Sequence, residues 1–102
     1  MATSKRQLTG GGLTSYYVVD VLHPQDPNSQ PYQAEAEDLI EALDLSFDEG
    51  NILKELFRKA NERKGLIKPG TSQKRSAEKM YHSAGRILKA ETRKALEHES
   101  NK

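Results

Sequence analysis

The sequence predicts a mainly α fold: a three-helix domain with a short N-terminal strand or extended segment. Three observations predict it. Ser46 and Glu49 bracket a helix start that carries its own caps, followed by apolar residues at helical spacing. A second, longer run repeats apolar residues every three or four positions from Ala77 to Leu88. Only one stretch, residues 14–22, is rich in β-branched and aromatic residues, so a multi-stranded sheet is not expected.

The elements follow in chain order. Residues 1–13 read as a flexible arm, because Gly10, Gly11 and Gly12 lose the most backbone entropy on ordering. Thr14 to Leu22 is the extended segment, and a lone strand of this kind leaves pairing with a second chain open. Residues 23–32 hold three prolines, each fixing φ and pushing its predecessor out of the helical region, so this is a loop. The first helix is expected from about Ala34 to Leu43, with Leu39, Ile40 and Leu43 as its stripe. The second starts at Ser46, with Asp48 adding negative charge in its first turn and Phe47 stapling the entry. Ile52, Leu53, Leu56, Phe57 and Ala60 are its expected buried face, and Gly65 its C′ residue. Pro69 and Gly70 punctuate the next connection. The third helix begins near Thr71 or Ser72 and buries Ala77, Met80, Tyr81, Ala84, Ile87 and Leu88. The domain therefore spans residues 14–90, and 91–102 form a helical tail expected to fray.

Charge is segregated along this order. Residues 8–53 carry nine acids and no Lys or Arg, whereas residues 54–102 carry fourteen Lys/Arg and six acids. The formal net charge of +1 thus hides a dipolar chain able to offer one acidic and one basic surface. With 102 residues and 34% hydrophobic content, one small core is the most the chain can build. It has no cysteine, which excludes disulfides and thiolate metal sites. No apolar run approaches the roughly 18 residues of a membrane span. The N-terminal charges are followed by no apolar stretch of a secretory signal, so a cytoplasmic protein is expected.

Several groups are candidates for chemistry. Asn51, Lys54 and Arg58 are spaced i, i+3 and i+7, a polar stripe suited to phosphate or a nucleotide, with Arg58 as fork donor. The plainer reading is that Lys54 and Arg58 pair with the acids of the first helix and fix the packing. Arg58, Lys59, Arg63, Lys64, Lys68, Lys74, Arg75 and Lys79 form the densest basic run, a candidate phosphate-tracking patch. A merely solvated basic face would look the same. Glu37, Asp38, Glu41 and Asp44 crowd the first helix. With Glu35 they offer oxygen ligands for Mg²⁺, although a solvated acidic face or a surface for a basic partner needs fewer assumptions. His23, His82 and His98 are too dispersed for a metal site, and Tyr16, Tyr17 and Tyr32 are expected to pack the strand and loop.

The run Gly50-Asn51, Lys54, Phe57-Arg58 and Lys64-Gly65, preceded by Tyr32 and Ile40-Glu41-Ala42, resembles the SaV-like family of small bacteriophage proteins. The likeness covers roughly residues 31–90, with Ser76-Ala77-Glu78-Lys79 standing where the family opens its last helix. Phe57 replaces the family's Trp, and the loop is longer. The resemblance implies a phage-encoded accessory protein; some members sit within proteins that phosphorylate nucleotides. Carried over, it makes Asn51, Lys54 and Arg58 the ligand candidates.

Three functions follow as expectations. The first is a binding protein acting on nucleic acid or a host protein through the basic patch. The second is a nucleotide-binding or nucleotide-kinase-like component, the only reading that would bring Mg²⁺; no other cofactor and no metal site is expected. The third is an inhibitor whose acidic face docks on a nucleic-acid-binding protein. All are monomer or homodimer readings without membrane, and binding is favoured over catalysis.

Overall fold

A computed structural model describes residues 16–100. The arm at 1–13, the first two residues of the extended segment and the last two of the tail lie outside them. Strands β1 (Val18–Val21) and β2 (Tyr32–Glu35) are followed by helices α1 (Ala36–Ala42), α2 (Phe47–Arg63) and α3 (Gln73–Ser100). The fold is mainly α, as the helical spacings predict.

The single expected strand is in fact half of an antiparallel hairpin. Val18 pairs with Glu35, Val19 with Ala34, Asp20 with Gln33 and Val21 with Tyr32. Gln33 Nε2 donates to Asp20 Oδ1 at 2.9 Å on the outer face. The second strand was hidden because only Tyr32 of Tyr-Gln-Ala-Glu favours a strand, while Ala34 and Glu35 are depleted there. Its partner supplies the ladder, and α1 consequently begins at Ala36 rather than Ala34. The Ala36 N–H donates to the Tyr17 carbonyl at 2.9 Å, tying the hairpin directly to the helix start.

The punctuation of α2 follows its residues. Ser46 Oγ accepts from the Glu49 N–H at 3.2 Å, and Glu49 Oε1 accepts from the Ser46 N–H at 2.8 Å, a complete capping box. At the other end the Leu66 N–H reaches the Asn61 carbonyl at 2.9 Å and the Gly65 N–H the Glu62 carbonyl at 3.0 Å. Gly65 has φ 101°, so this is a Schellman motif with glycine in the left-handed position. The end of α1 repeats the motif without a glycine. There Leu45 N–H reaches Ile40 O at 3.0 Å and Asp44 N–H reaches Glu41 O at 3.1 Å, with Asp44 at φ 54°. Short polar side chains tolerate this region better than most. Where α1 crosses α2, the buried Gly50 leaves room for Ile40, whose Cδ1 and Cγ2 would lie 3.4 Å from a Cβ at position 50.

Helix α3 is opened by Ser72, whose Oγ accepts from the Arg75 N–H at 3.0 Å. It continues to Ser100 through the stretch expected to fray, with residues 91–99 exposed. Ala, Leu, Lys, Arg and Glu, all strong helix formers, fill this stretch.

Burial departs furthest from expectation. Among the described residues, Ala36 is the one fully buried apolar residue, while Glu55, Arg58, Asn61, Ser76 and Ser83 are buried. Of the expected apolar face of α2, Ile52, Leu53, Phe57 and Ala60 are half-buried and Leu56 is exposed, and Phe47, 77% exposed, does not staple the entry. In α3 the inward line runs through Ser76, Met80, Ser83, Ile87 and Ala90, and Ala77, Tyr81, Ala84 and Leu88 face outward. The expected line mixed the two: Met80 and Ile87 turn inward as expected, while Ala77, Tyr81, Ala84 and Leu88 do not.

Candidate functional site

The polar side chains buried on α2 hold the hairpin in place. Asn61 Nδ2 donates to the carbonyls of Tyr16 and Val18, each at 3.0 Å. Arg58 Nη1 donates to the Tyr17 hydroxyl at 2.9 Å, and Nη2 is ion-paired to Glu55 Oε2 one turn away. Burial opposes the Arg58 charge, but the Glu55 hydrogen bond and the neighbouring Tyr17 and Glu55 outweigh it and raise the guanidinium pKa above its ordinary value. Lys54 Nζ lies 5.3 Å from the centre of the Tyr17 ring, in cation–π range, and Arg58 Cζ lies 5.8 Å from it. Tyr16 stands edge-on to Tyr17 with centroids 6.5 Å apart. Arg58 and Lys54 thus serve packing, but through Glu55 on α2 and Tyr17 just before β1, not through the acids of the first helix to which the plainer reading paired them.

Asn51 lies elsewhere. It lines a cleft of about 390 Å³ between α2 and α3, together with Glu55, Arg75, Lys79, His82 and Ser83. Glu78 borders the same cleft, and Lys79 Nζ stands 3.9 Å from Glu55 Oε2. The structure therefore separates the three residues of the proposed phosphate stripe: Asn51 faces the cleft, Arg58 is enclosed and Lys54 covers a ring.

The remaining basic residues gather at one end of the molecule. Gln73, the first residue of α3, organises them. Its Nε2 donates to the Lys59 carbonyl at 2.9 Å and to Glu62 Oε1, while its Oε1 accepts from Lys59 Nζ at 3.0 Å and Arg63 Nη1 at 3.2 Å. This clasp brings the last turn of α2 against the first turn of α3. Arg63, Lys64, Lys74 and Arg75 are exposed around it. Lys68, in the loop between, lies 6.0 Å from the Tyr16 ring centre. The loop is braced by Thr71 Oγ1, which donates to the Lys68 carbonyl at 2.7 Å. Lys74 meets Glu78 at 2.7 Å, but both side chains are well exposed and the pair contributes little. The first turn of α3 holds no acid. Unscreened cations at a helix N-terminus attract anions, since backbone N–H groups and side chains act with the same sign.

The acidic candidates lie away from this end. Glu37, Asp38 and Glu41 are exposed on α1, and Asp44 is exposed at its left-handed cap. No group of three or more His, Asp or Glu among the described residues is placed to hold a metal ion. No helix among the described residues is long and apolar enough to cross a membrane.

Sequence reasoning missed Gln73, Asn61 and the cleft side of α3. Ser76 and Ser83, seven apart in an otherwise amphipathic helix, were the available signal that a polar line faces α2. No family model, no curated protein and no solved structure matches the chain.

Proposed function

We propose that the chain is an accessory binding protein whose basic end grips the phosphate backbone of nucleic acid. The observation that carries the reading is the gathering of Arg63, Lys64, Lys68, Lys74 and Arg75 around the Gln73 clasp, beside an α3 first turn without acids. Two helices and a braced loop present these cations from a common base. Such a surface suits a repeating line of charges better than one small anion. Base-specific contacts form no part of the reading, because the aromatic side chains nearest the patch, Tyr16 and Tyr17, are occupied by Lys68 and Arg58.

A second reading, nucleotide binding, draws on the cleft. Asn51, Arg75 and Lys79 offer an amide and two cations to a phosphate-bearing ligand, and Asn51 is one of the three residues the SaV-like resemblance singles out. It requires a site assembled differently from the sequence stripe, without Arg58 as fork donor.

Heteronuclear NMR of the labelled protein separates the two. Short duplex DNA should shift amides of residues 63–75, and the shifts should vanish as salt rises. A nucleotide mixture with Mg²⁺ that instead shifts Asn51, Lys79 and Ser83, at ionic strengths where DNA has no effect, would replace the first reading by the second. Silence to every nucleic acid at low salt would refute the phosphate-backbone reading.

A further inference from the structure

We infer that the outer face of α3 pairs two copies of this chain, helix against antiparallel helix. The pairing does not rest on the nucleic-acid reading, although it sets Lys74 and Arg75 of the basic end beside acids of the second copy. Ala77, Tyr81, Ala84 and Leu88 follow one another at intervals of four, three and four residues, and Ala95 continues the line after Glu91. That alternation is the seam of a two-helix coiled pair. All of these residues are exposed; Tyr81 is 84% exposed and Leu88 68%. The face turned toward α2 buries serines at 76 and 83 beside the half-buried Met80 and Ile87, and Tyr81 and Leu88 lie on the side that the rest of the chain leaves uncovered. Ala84 and Gly85 sit mid-seam, in a groove of about 470 Å³ bordered by Tyr81 and Leu88. A Cβ at position 85 would meet nothing within 4 Å. Small residues there leave space for the backbone of a second helix.

Charge selects the occupant and its direction. The first turn of α3 carries Lys74 and Arg75 and no acid, and its final turn carries Glu97 and Glu99 with His98 as its basic residue. An antiparallel second copy sets each basic start beside an acidic end, and also opposes the two helix dipoles favourably. A parallel copy would set like charges side by side. The register that matches seam to seam lays Leu88 over the second copy's Ala84 and Ala95 over its Ala77. It also sets the Tyr81 hydroxyl beside the second copy's Glu91, giving the one charged seam residue a hydrogen-bond donor. From Ala77 to Ala95 the seam is about 27 Å long.

Sedimentation equilibrium on the full chain, from about 1 to about 100 μM, should show mass rising from 11.4 kDa toward twice that value. Leu88→Glu should weaken association about 100-fold, because it buries an unpaired carboxylate mid-seam, and should leave the helical circular dichroism unchanged. The absence of native cysteine allows a second test that depends on no loss of stability. Ala77→Cys and Ala95→Cys chains, mixed and oxidised, should form a mixed disulfide that neither forms alone. A strictly monomeric wild type would overturn the proposal, and so would an Ala95→Cys chain that cross-links efficiently to itself.

Discussion

Replacing Arg58 by alanine separates its two possible roles. In the structure its guanidinium is almost fully enclosed, fastened to Glu55 and to the Tyr17 hydroxyl. Removing it leaves the Glu55 carboxylate buried, with Lys79 Nζ 3.9 Å from its Oε2. Breaking a buried ion pair from one side typically costs about 3–5 kcal/mol. A domain of this length holds roughly 5–15 kcal/mol in all, so Arg58→Ala should lose a large share of its stability. The double variant Glu55→Met, Arg58→Met removes both charges and keeps side-chain volume; it should lose markedly less than Arg58→Ala. Urea unfolding followed by circular dichroism measures all of these, and the single variants complete a double-mutant cycle with a coupling of several kcal/mol. Retained stability in Arg58→Ala, within about 1 kcal/mol of wild type, together with a tenfold loss of anion binding, would refute the packing role and return Arg58 to the ligand site.

Two further outcomes follow from the same geometry. Asn61→Ala removes two hydrogen bonds to strand carbonyls; at about 1 kcal/mol each it should cost about 2 kcal/mol and lower the melting temperature by roughly 8–16 °C, and a shift under about 3 °C would contradict the clamp. Asp44→Gly relieves the left-handed backbone at the end of α1 and should stabilise the fold by up to about 1 kcal/mol; a loss of stability in urea melts would show that the Asp44 side chain holds something the cap geometry does not reveal.

The helix boundaries were largely legible because caps are local chemistry. Ser46, Glu49 and Gly65 state where α2 begins and ends, and the structure puts those hydrogen bonds where the residue types require them. The second strand was not legible, since Tyr32–Glu35 becomes a strand through its partner's ladder rather than through its own propensity. The apolar side of α2 was legible in part, at Ile52, Leu53, Phe57 and Ala60, but its buried polar residues were not. Apolar spacing pointed to Leu56, but the hairpin offers backbone carbonyls and a phenol, which Asn61 and Arg58 satisfy and leucine cannot. The basic residues of the patch were visible as a run. What the run could not convey is that Gln73 draws two helix ends together, or that Arg58 leaves the surface altogether.

The most direct test of the nucleic-acid reading is the salt dependence of duplex DNA binding, measured by fluorescence anisotropy. Each phosphate contact contributes about 0.9 to the slope of log K against log salt. The wild type should bind at low salt with a steep negative slope. Neutralising Lys64, Lys74 and Arg75 together, all exposed and clear of the hairpin clamp, should flatten that slope by up to about 2.7 without changing the unfolding curve. An unchanged slope in the folded variant would contradict the assignment of the basic end as the phosphate-binding surface.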